Sequence, residues 1–189
     1  MSDRCPPILG QWEDRLVAQQ ARARSVVEGL APERLVAPPE EGKWSVAHCL
    51  DHLATTIEAY RPYLEGAIER GAASRPATPP DYRPGRFARW FIRVASPGGR
   101  AVPAPKLFRP AEEAPLDALD RFLTAQQALL AALAGADGID VNRWKLRSPA
   151  SALLRFRVGE ALELMVVHND RHLDQAERAR ATVTASDRE

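Results

Sequence analysis

Hydrophobic residues recur at helical spacing along four long segments of the chain. Positions three and four apart lie on one face of a helix, so an apolar stripe at that spacing predicts an amphipathic helix packed against a core. The pattern predicts helices over about residues 8–30, 45–70, 115–135 and 158–181. No segment alternates convincingly with a period of two, so no strand is predicted. Four amphipathic helices of this length predict an all-α protein, a four-helix bundle.

Capping and helix-breaking residues agree with these predicted ends. Pro32 stops the first helix, and Ser45 is a suitable N-cap for the second. Gly71 is expected to end the second helix, Pro115 suits the first turn of the third, and Gly135 closes it. The bundle is therefore expected to form one domain over residues 1–189.

A long proline-rich insert, residues 72–114, separates the second and third predicted helices. Nine of the sixteen prolines lie between residues 76 and 115. Irregular segments of this length often have a function, so the insert is a candidate to close over a site and shape its pocket. Within it, "RFARWFIRV" predicts a short helix whose inward-facing residues are Phe87, Trp90, Phe91 and Val94.

The overall charge of the chain argues against nucleic acid and membranes as partners, but one segment is strongly basic. The 189 residues include 26 basic and 25 acidic side chains, so no global field attracts nucleic acid or membrane. Residues 82–111, however, contain seven basic residues and no acidic one. These can be solvated arginines around packed aromatic residues, or they can recognise an anionic substrate or thiol cofactor. Nucleic-acid binding through this insert is a third hypothesis.

The cellular setting is inferred from absent segments and from two cysteines. No run of about 18 apolar residues and no charged-then-apolar leader is present, so neither a membrane span nor a signal peptide is expected. Cys5 and Cys49 do not make a disulfide framework, which favours a reducing, cytoplasmic location. Cys49 is expected to be a small buried hydrophobe, with redox or nucleophilic use as the alternative.

All four histidines of the chain belong to pairs spaced four residues apart. His48 and His52 lie in the second predicted helix, and His168 and His172 lie in the fourth. This spacing brings two imidazoles together on one helix face, close enough to share a metal ion. Imidazole suits zinc, nickel, iron and copper. Neither pair is an HExxH motif, so no glutamate base is supplied.

Because each residue of a helix is turned 100° from the one before, the four histidines take different positions relative to the apolar faces of their helices. His168 and His172 fall within the apolar arc of their helix, and His52 lies at the edge of its arc. His48 is turned about 40° further, toward the polar side. The predicted metal ligands are therefore His52, His168 and His172, with His48 as a flanking residue. The apolar arc shared by the last two consists of Val158, Ala161, Leu162, Met165, Ala176, Ala179 and Val183.

Two interpretations of these histidines remain open at this point. Three neutral imidazoles with an open fourth position are typical of a catalytic metal site. A histidine on an apolar face can instead be a packed residue with one hydrogen bond. Gln175, which neighbours His172 on the helix surface, is a candidate to orient its ring, with a solvated amide as the alternative.

Two stretches resemble the DinB-like (YfiT-like) superfamily. "GLAPERL…EEGKWSVAHCLDHLA", residues 29–54, resembles its second-helix signature, in which a tryptophan–serine pair precedes a histidine–leucine pair. Here these pairs are Trp44-Ser45 and His52-Leu53. "HNDRHLDQAERAR", residues 168–180, is similar to the closing motif, in which two histidines four apart precede a glutamine.

The resemblance implies a four-helix bundle in which His52, His168 and His172 bind one divalent metal ion, commonly zinc or nickel. Relatives include thiol S-transferases, a mycothiol-dependent maleylpyruvate isomerase and many proteins labelled metal-dependent hydrolases, and relatives often form homodimers. His48 stands where relatives often carry glutamate or glutamine, so the resemblance assigns it no role.

These observations leave two main functional hypotheses. The first is a metal-dependent enzyme acting on a small-molecule substrate, either a hydrolase or a transferase with a low-molecular-weight thiol as cosubstrate. The second is a non-catalytic metal-binding protein of a stress response or a protein interaction, whose ion only ties helices together. In that case a fourth protein ligand should close the site, and His48 is the candidate for it.

Overall fold

The computed structural model describes residues 7–100 and 102–185. Most of this chain is helical, which confirms the all-α class. The long helices are α1 (Pro7–Val27), α3 (Val46–Ala72), α5 (Ala118–Gly135) and α6 (Val158–Ala185). The shorter elements are α2 (Pro32–Val36), α4 (Arg86–Ala95), a 3₁₀ turn (Lys106–Phe108), β1 (Lys145–Ser148) and β2 (Ser151–Arg157).

The four long helices share one hydrophobic core. α3 packs against α5 and α6, and α1 packs against the same two helices. The apolar stripes that predicted the helices provide this core, because burying them together removes apolar surface from water. Its largest fully buried side chains include Trp12, Leu16, Leu50, Phe122, Leu162 and Met165.

The observed helix ends follow local backbone chemistry. α1 ends at Val27, three residues before the predicted end, and Gly29 follows with a φ of 71°, a conformation that glycine adopts at low cost. Ser45 caps α3 as predicted, because its hydroxyl oxygen accepts a hydrogen bond from the His48 backbone N–H at 3.2 Å. α5 begins at Ala118 rather than at Pro115, which lies in the preceding turn.

A short β-hairpin was not predicted. β1 and β2 pair antiparallel immediately before α6, and Leu146 pairs with Phe156 on their buried side. β1 has only four residues, and a burial pattern of two exposed and two buried positions is too short to separate from chance. The expectation of no strand is therefore wrong at this place.

The helix predicted inside the insert exists as α4, but its buried face is different. Ala88 and Ile92 are buried, whereas Phe87 and Trp90 are 50% and 55% exposed. α4 packs against α6, and the small Ala88 side chain allows close approach on this face. The predicted inward face was wrong for Phe87 and Trp90, and Phe91 and Val94 are half-buried.

Two remaining expectations have different outcomes. Cys49 is a fully buried free cysteine, as expected, whereas Cys5 lies outside the described residues. Among the described residues, no helix combines the length and apolar character that crossing a membrane requires.

Candidate metal centre

The packing of α3 against α6 brings His52, His168 and His172 together. His52 lies in the second turn of α3, and the other two lie one turn apart in the middle of α6. Their ring centroids are 4.4–5.0 Å apart. One potential ligand atom from each residue lies within 4.8 Å of the other two, so the three histidines could hold a metal ion.

Two of the ring nitrogens already have the separation of ligands on one ion. Nε2 of His52 lies 3.2 Å from Nε2 of His168. Nitrogens bound 2.0–2.1 Å from a tetrahedral ion are about 3.3 Å apart by simple geometry. A hydrogen bond between these two atoms also fits the distance. The His172 ring adds a third potential ligand atom within 4.8 Å of the other two. The donor set therefore fits a divalent ion that accepts imidazole nitrogen.

The opposite edges of two rings are held by the protein. Nδ1 of His52 donates to the carbonyl oxygen of Phe108 at 2.5 Å, and Nδ1 of His172 donates to Oε1 of Gln175 at 3.0 Å. With the proton on Nδ1, the lone pair of each ring is on Nε2. The predicted contact of Gln175 with His172 is present. Nδ1 of His168 is buried and has no hydrogen-bond partner.

Burial keeps the three imidazoles neutral. It lowers the pKa of His52, although the hydrogen bond to Phe108 acts in the opposite direction. Burial, followed by repulsion from His172 and His52, lowers the pKa of His168 well below its usual value. The pKa of His172 falls to about 3, mainly through burial and then through repulsion from His52. Neutral imidazole is the form that binds metals, so the cluster is ready to act as a ligand set near neutral pH.

One wall of the cluster is formed by Trp44, which the pattern analysis did not assign to the site. Its ring centroid lies 4.8 Å from that of His52 and 5.7 Å from that of His172. Trp44 is half-buried and immediately precedes the Ser45 cap of α3. Because the cap fixes the chain direction at the helix start, the indole is held over two of the three imidazoles.

The insert reaches the site through backbone atoms. Phe108 supplies the carbonyl oxygen for His52, and the Ala111 N–H donates to the carboxylate of Asp51 at 2.8 Å. Asp51 is 1% exposed and also forms an ion pair with Arg121 of α5. The end of the 3₁₀ turn and the segment just after it are therefore fastened to two adjacent residues of α3. Sequence patterns gave no signal for Phe108, because a backbone carbonyl acts independently of the side chain.

His48 lies apart from the cluster. Its backbone N–H donates to the Ser45 hydroxyl oxygen at 3.2 Å, and its Nδ1 accepts from the Ser45 backbone N–H at 3.3 Å, which completes the capping box of α3. Among the described histidine, cysteine and acidic residues, the group that could hold an ion contains His52, His168 and His172 only. The structure therefore places His48 outside this group, at the N-terminus of α3.

Polar contacts with α1 and α5 fix the register of α6. The Asn169 amide donates to Gln126 of α5 at 2.8 Å and to Gln19 of α1 at 3.2 Å. The Arg22 side chain of α1 pairs with Asp174 at 2.6 Å and with other acidic residues of α6. A slip of α6 along the bundle would leave these buried amides unpaired, so the network holds His168 and His172 at their depth.

Comparison with known families found a match. The profile of the DinB superfamily matches residues 15–176, which include all three histidines and all four long helices in whole or in part. No curated protein and no solved structure matches the chain. Because the matched region covers most of the 189 residues, the chain belongs to the DinB superfamily.

Proposed function

We propose that the protein is a metal-dependent enzyme in which Nε2 of His52, His168 and His172 hold one divalent ion, zinc or nickel. The 3.2 Å approach of two Nε2 atoms, with the Nδ1 atoms of His52 and His172 turned toward protein acceptors, carries the proposal. The small-molecule substrate, the homodimer and the cytoplasmic location expected from the sequence belong to the same proposal.

Three protein ligands favour catalysis over a purely structural ion. Structural zinc sites are usually closed by four protein ligands, whereas catalytic sites have three and an open position. His48, the candidate for a fourth ligand, is engaged in the capping box at Ser45. Among the described residues no other histidine, cysteine or acidic side chain joins the group.

The chain's own residues position and protect the reaction. When bound, a divalent ion supplies Lewis acidity that lowers the pKa of water or of a thiol, which suits hydrolysis or thiol transfer respectively. The Phe108 carbonyl and Gln175 hold the His52 and His172 rings in one orientation and increase their basicity. Trp44 covers one side of the cluster and excludes water there.

Elemental analysis of the purified protein tests the ligand set. We expect about one divalent ion per chain in the wild type, and loss of that ion in His168→Ala and His172→Ala. His48→Ala is the matched control, because it removes a half-buried histidine of the same pair spacing and should retain the ion. Unchanged metal content in both α6 variants would contradict the assignment.

Cobalt substitution separates the enzyme from the structural alternative. The absorption spectrum of a Co²⁺-loaded protein reports the ligands on the ion, so an open position should respond to an added small ligand. If the protein is a thiol transferase, we expect 2-mercaptoethanol to produce a sulfur-to-cobalt charge-transfer band. Azide should shift the visible bands whether the protein is a hydrolase or a transferase. A spectrum that neither ligand changes would indicate a closed, non-catalytic site.

A further inference from the structure

A second polar site lies between α3 and the β-hairpin. A cavity of about 340 Å³ is lined by four basic side chains, Arg70 of α3, Lys145 and Arg147 of β1, and Arg155 of β2. Tyr63 of α3 also lines it and is 44% exposed. No acidic residue is among the residues that line the cavity. Four cations therefore surround a space that is large enough for a small ligand.

These four cations have no carboxylate partners within residues 7–100 and 102–185. Arg22 and Arg121, by contrast, pair with acidic side chains of neighbouring helices. The Arg70 guanidinium instead donates to the backbone carbonyl of Lys145 at 3.1 Å, which ties it to the hairpin. Several other exposed arginines, such as Arg86 of α4, also lack an ion pair among the described residues. This group differs because its four unpaired cations line one cavity.

The strand register places two of these charges against each other. Arg147 stands directly opposite Arg155 in the antiparallel pair. Like charges at directly opposed positions destabilise a hairpin. Lys145 likewise opposes Arg157, but there Glu160 lies 3.9 Å from the Arg157 side chain. Among the described residues, no carboxylate offsets the repulsion between Arg147 and Arg155. An anion bound in the cavity would offset it.

We propose that this cavity binds the phosphate group of a small molecule. Arginine forks bind phosphate oxygens in pairs, and lysine adds a compact charge. The Tyr63 hydroxyl is a further donor, and its ring offers an apolar face to the rest of the ligand. Tyr63 follows His52 by eleven residues on one helix, or about 16 Å along its axis. The site is therefore separate from the histidine cluster and does not depend on a metal there.

Binding of inorganic phosphate, measured by calorimetry and by thermal unfolding against chloride at equal ionic strength, tests the proposal. We expect phosphate to bind and to raise the melting temperature of the wild type. Arg155→Glu should abolish both effects and raise the melting temperature in phosphate-free buffer, because it replaces a repulsive cross-strand pair with an attractive one. Arg147→Gln should weaken phosphate binding at least tenfold.

Two control variants show whether phosphate binds in this cavity. Arg86→Gln removes an exposed arginine of α4 that does not line the cavity, and it should leave phosphate binding unchanged. His172→Ala should also retain phosphate binding, which separates this site from the histidine cluster. Absence of phosphate binding to the wild type, or equal binding to Arg155→Glu, would overturn the proposal. Binding of a mixed-sequence single-stranded oligonucleotide without binding of phosphate would overturn it in favour of nucleic acid.

Discussion

The two ends of α3 hold polar side chains in opposite ways. Near its start, Asp51 and His52 are almost fully buried, and each has a defined protein partner. Near its end, Tyr63 and Arg70 face a cavity whose cations have no acidic partners among the described residues. Buried polar groups must be paired by the protein, which fixes their geometry. Exposed charges tolerate incomplete pairing, which leaves them free for a ligand.

The largest expected effect concerns the reactivity of Cys49 at the buried end. Burial raises the pKa of its thiol from 9.0 to about 12, which lowers the reactive thiolate fraction about 1,000-fold near pH 8. In a Cys5→Ser background, we expect Cys49 to react with a disulfide reagent at least that much more slowly in the native protein than in urea. Similar rates in the two states would show that this end of α3 is open to solvent.

The same shift predicts a dependence of stability on pH. In the unfolded chain the thiol loses its proton near pH 9, whereas in the native state it keeps it up to about pH 12. The native state therefore binds more protons in this window, and its stability falls as the pH rises through it. The free energy of unfolding of Cys49→Ala should decline less steeply over this range than that of the wild type.

A matched pair of carboxylates tests the difference between buried and exposed partners directly. Asp51 and Glu58 both contact Arg121, but Asp51 is 1% exposed and Glu58 lies on the surface. Asp51→Ala leaves the Ala111 N–H without its acceptor and the guanidinium without its buried partner, so we expect the free energy of unfolding to fall by about 3 kcal/mol. Glu58→Ala should cost less than about 0.5 kcal/mol.

Urea unfolding of both variants provides the measurement. Metal affinity should also fall in Asp51→Ala, because Asp51 fastens the segment that carries the Phe108 carbonyl to α3. Equal losses of stability in Asp51→Ala and Glu58→Ala would show that burial of the carboxylate does not determine how much its contact with Arg121 contributes.

Gln175 tests how far the metal site depends on its hydrogen-bond partners. Gln175→Ala removes the acceptor for Nδ1 of His172, and we expect metal affinity to fall about 10-fold or more with little change in stability. Gln127→Ala, at an exposed position of α5, is the control and should leave metal affinity unchanged. Competition with a chelator measures both constants. Equal affinities of the two variants would show that ring orientation does not depend on Gln175.

The smallest effect is expected at the exposed end of α3. Arg70→Gln removes one hydrogen bond to the Lys145 carbonyl in a solvated position, so stability should change by less than about 0.5 kcal/mol. Chemical denaturation under phosphate-free conditions measures this change. A loss comparable to that of Asp51→Ala would mean that the hairpin depends on Arg70 for its attachment to α3.

Much of the fold could be predicted because the helical stripes are long and regular. All seven apolar positions assigned to the arc of α6 are buried, and Ser45 caps α3 as expected. Short elements gave weaker signals. The strand β1 has four residues, and in α4 the residues four apart that face the core, Ala88 and Ile92, are outweighed in the pattern by larger exposed aromatic residues.

The sequence by itself determined which three histidines can meet. Helical periodicity places His168 and His172 on a buried face and turns His48 away, and this follows from 3.6 residues per turn without knowledge of any neighbour. The same local rules determined the four long helices and the cap of α3, because capping and amphipathicity act over a few residues.

Only the tertiary structure decided how the cluster is supported and what surrounds it. The Phe108 carbonyl reaches His52 across 56 positions of the chain, and the basic cavity exists only because the hairpin folds against α3. Such contacts join segments far apart in sequence. Every residue has a backbone carbonyl, so the residue type does not show which carbonyl is used as an acceptor. Local pattern therefore selects the ligands, whereas packing between distant elements sets their orientation and their chemical environment.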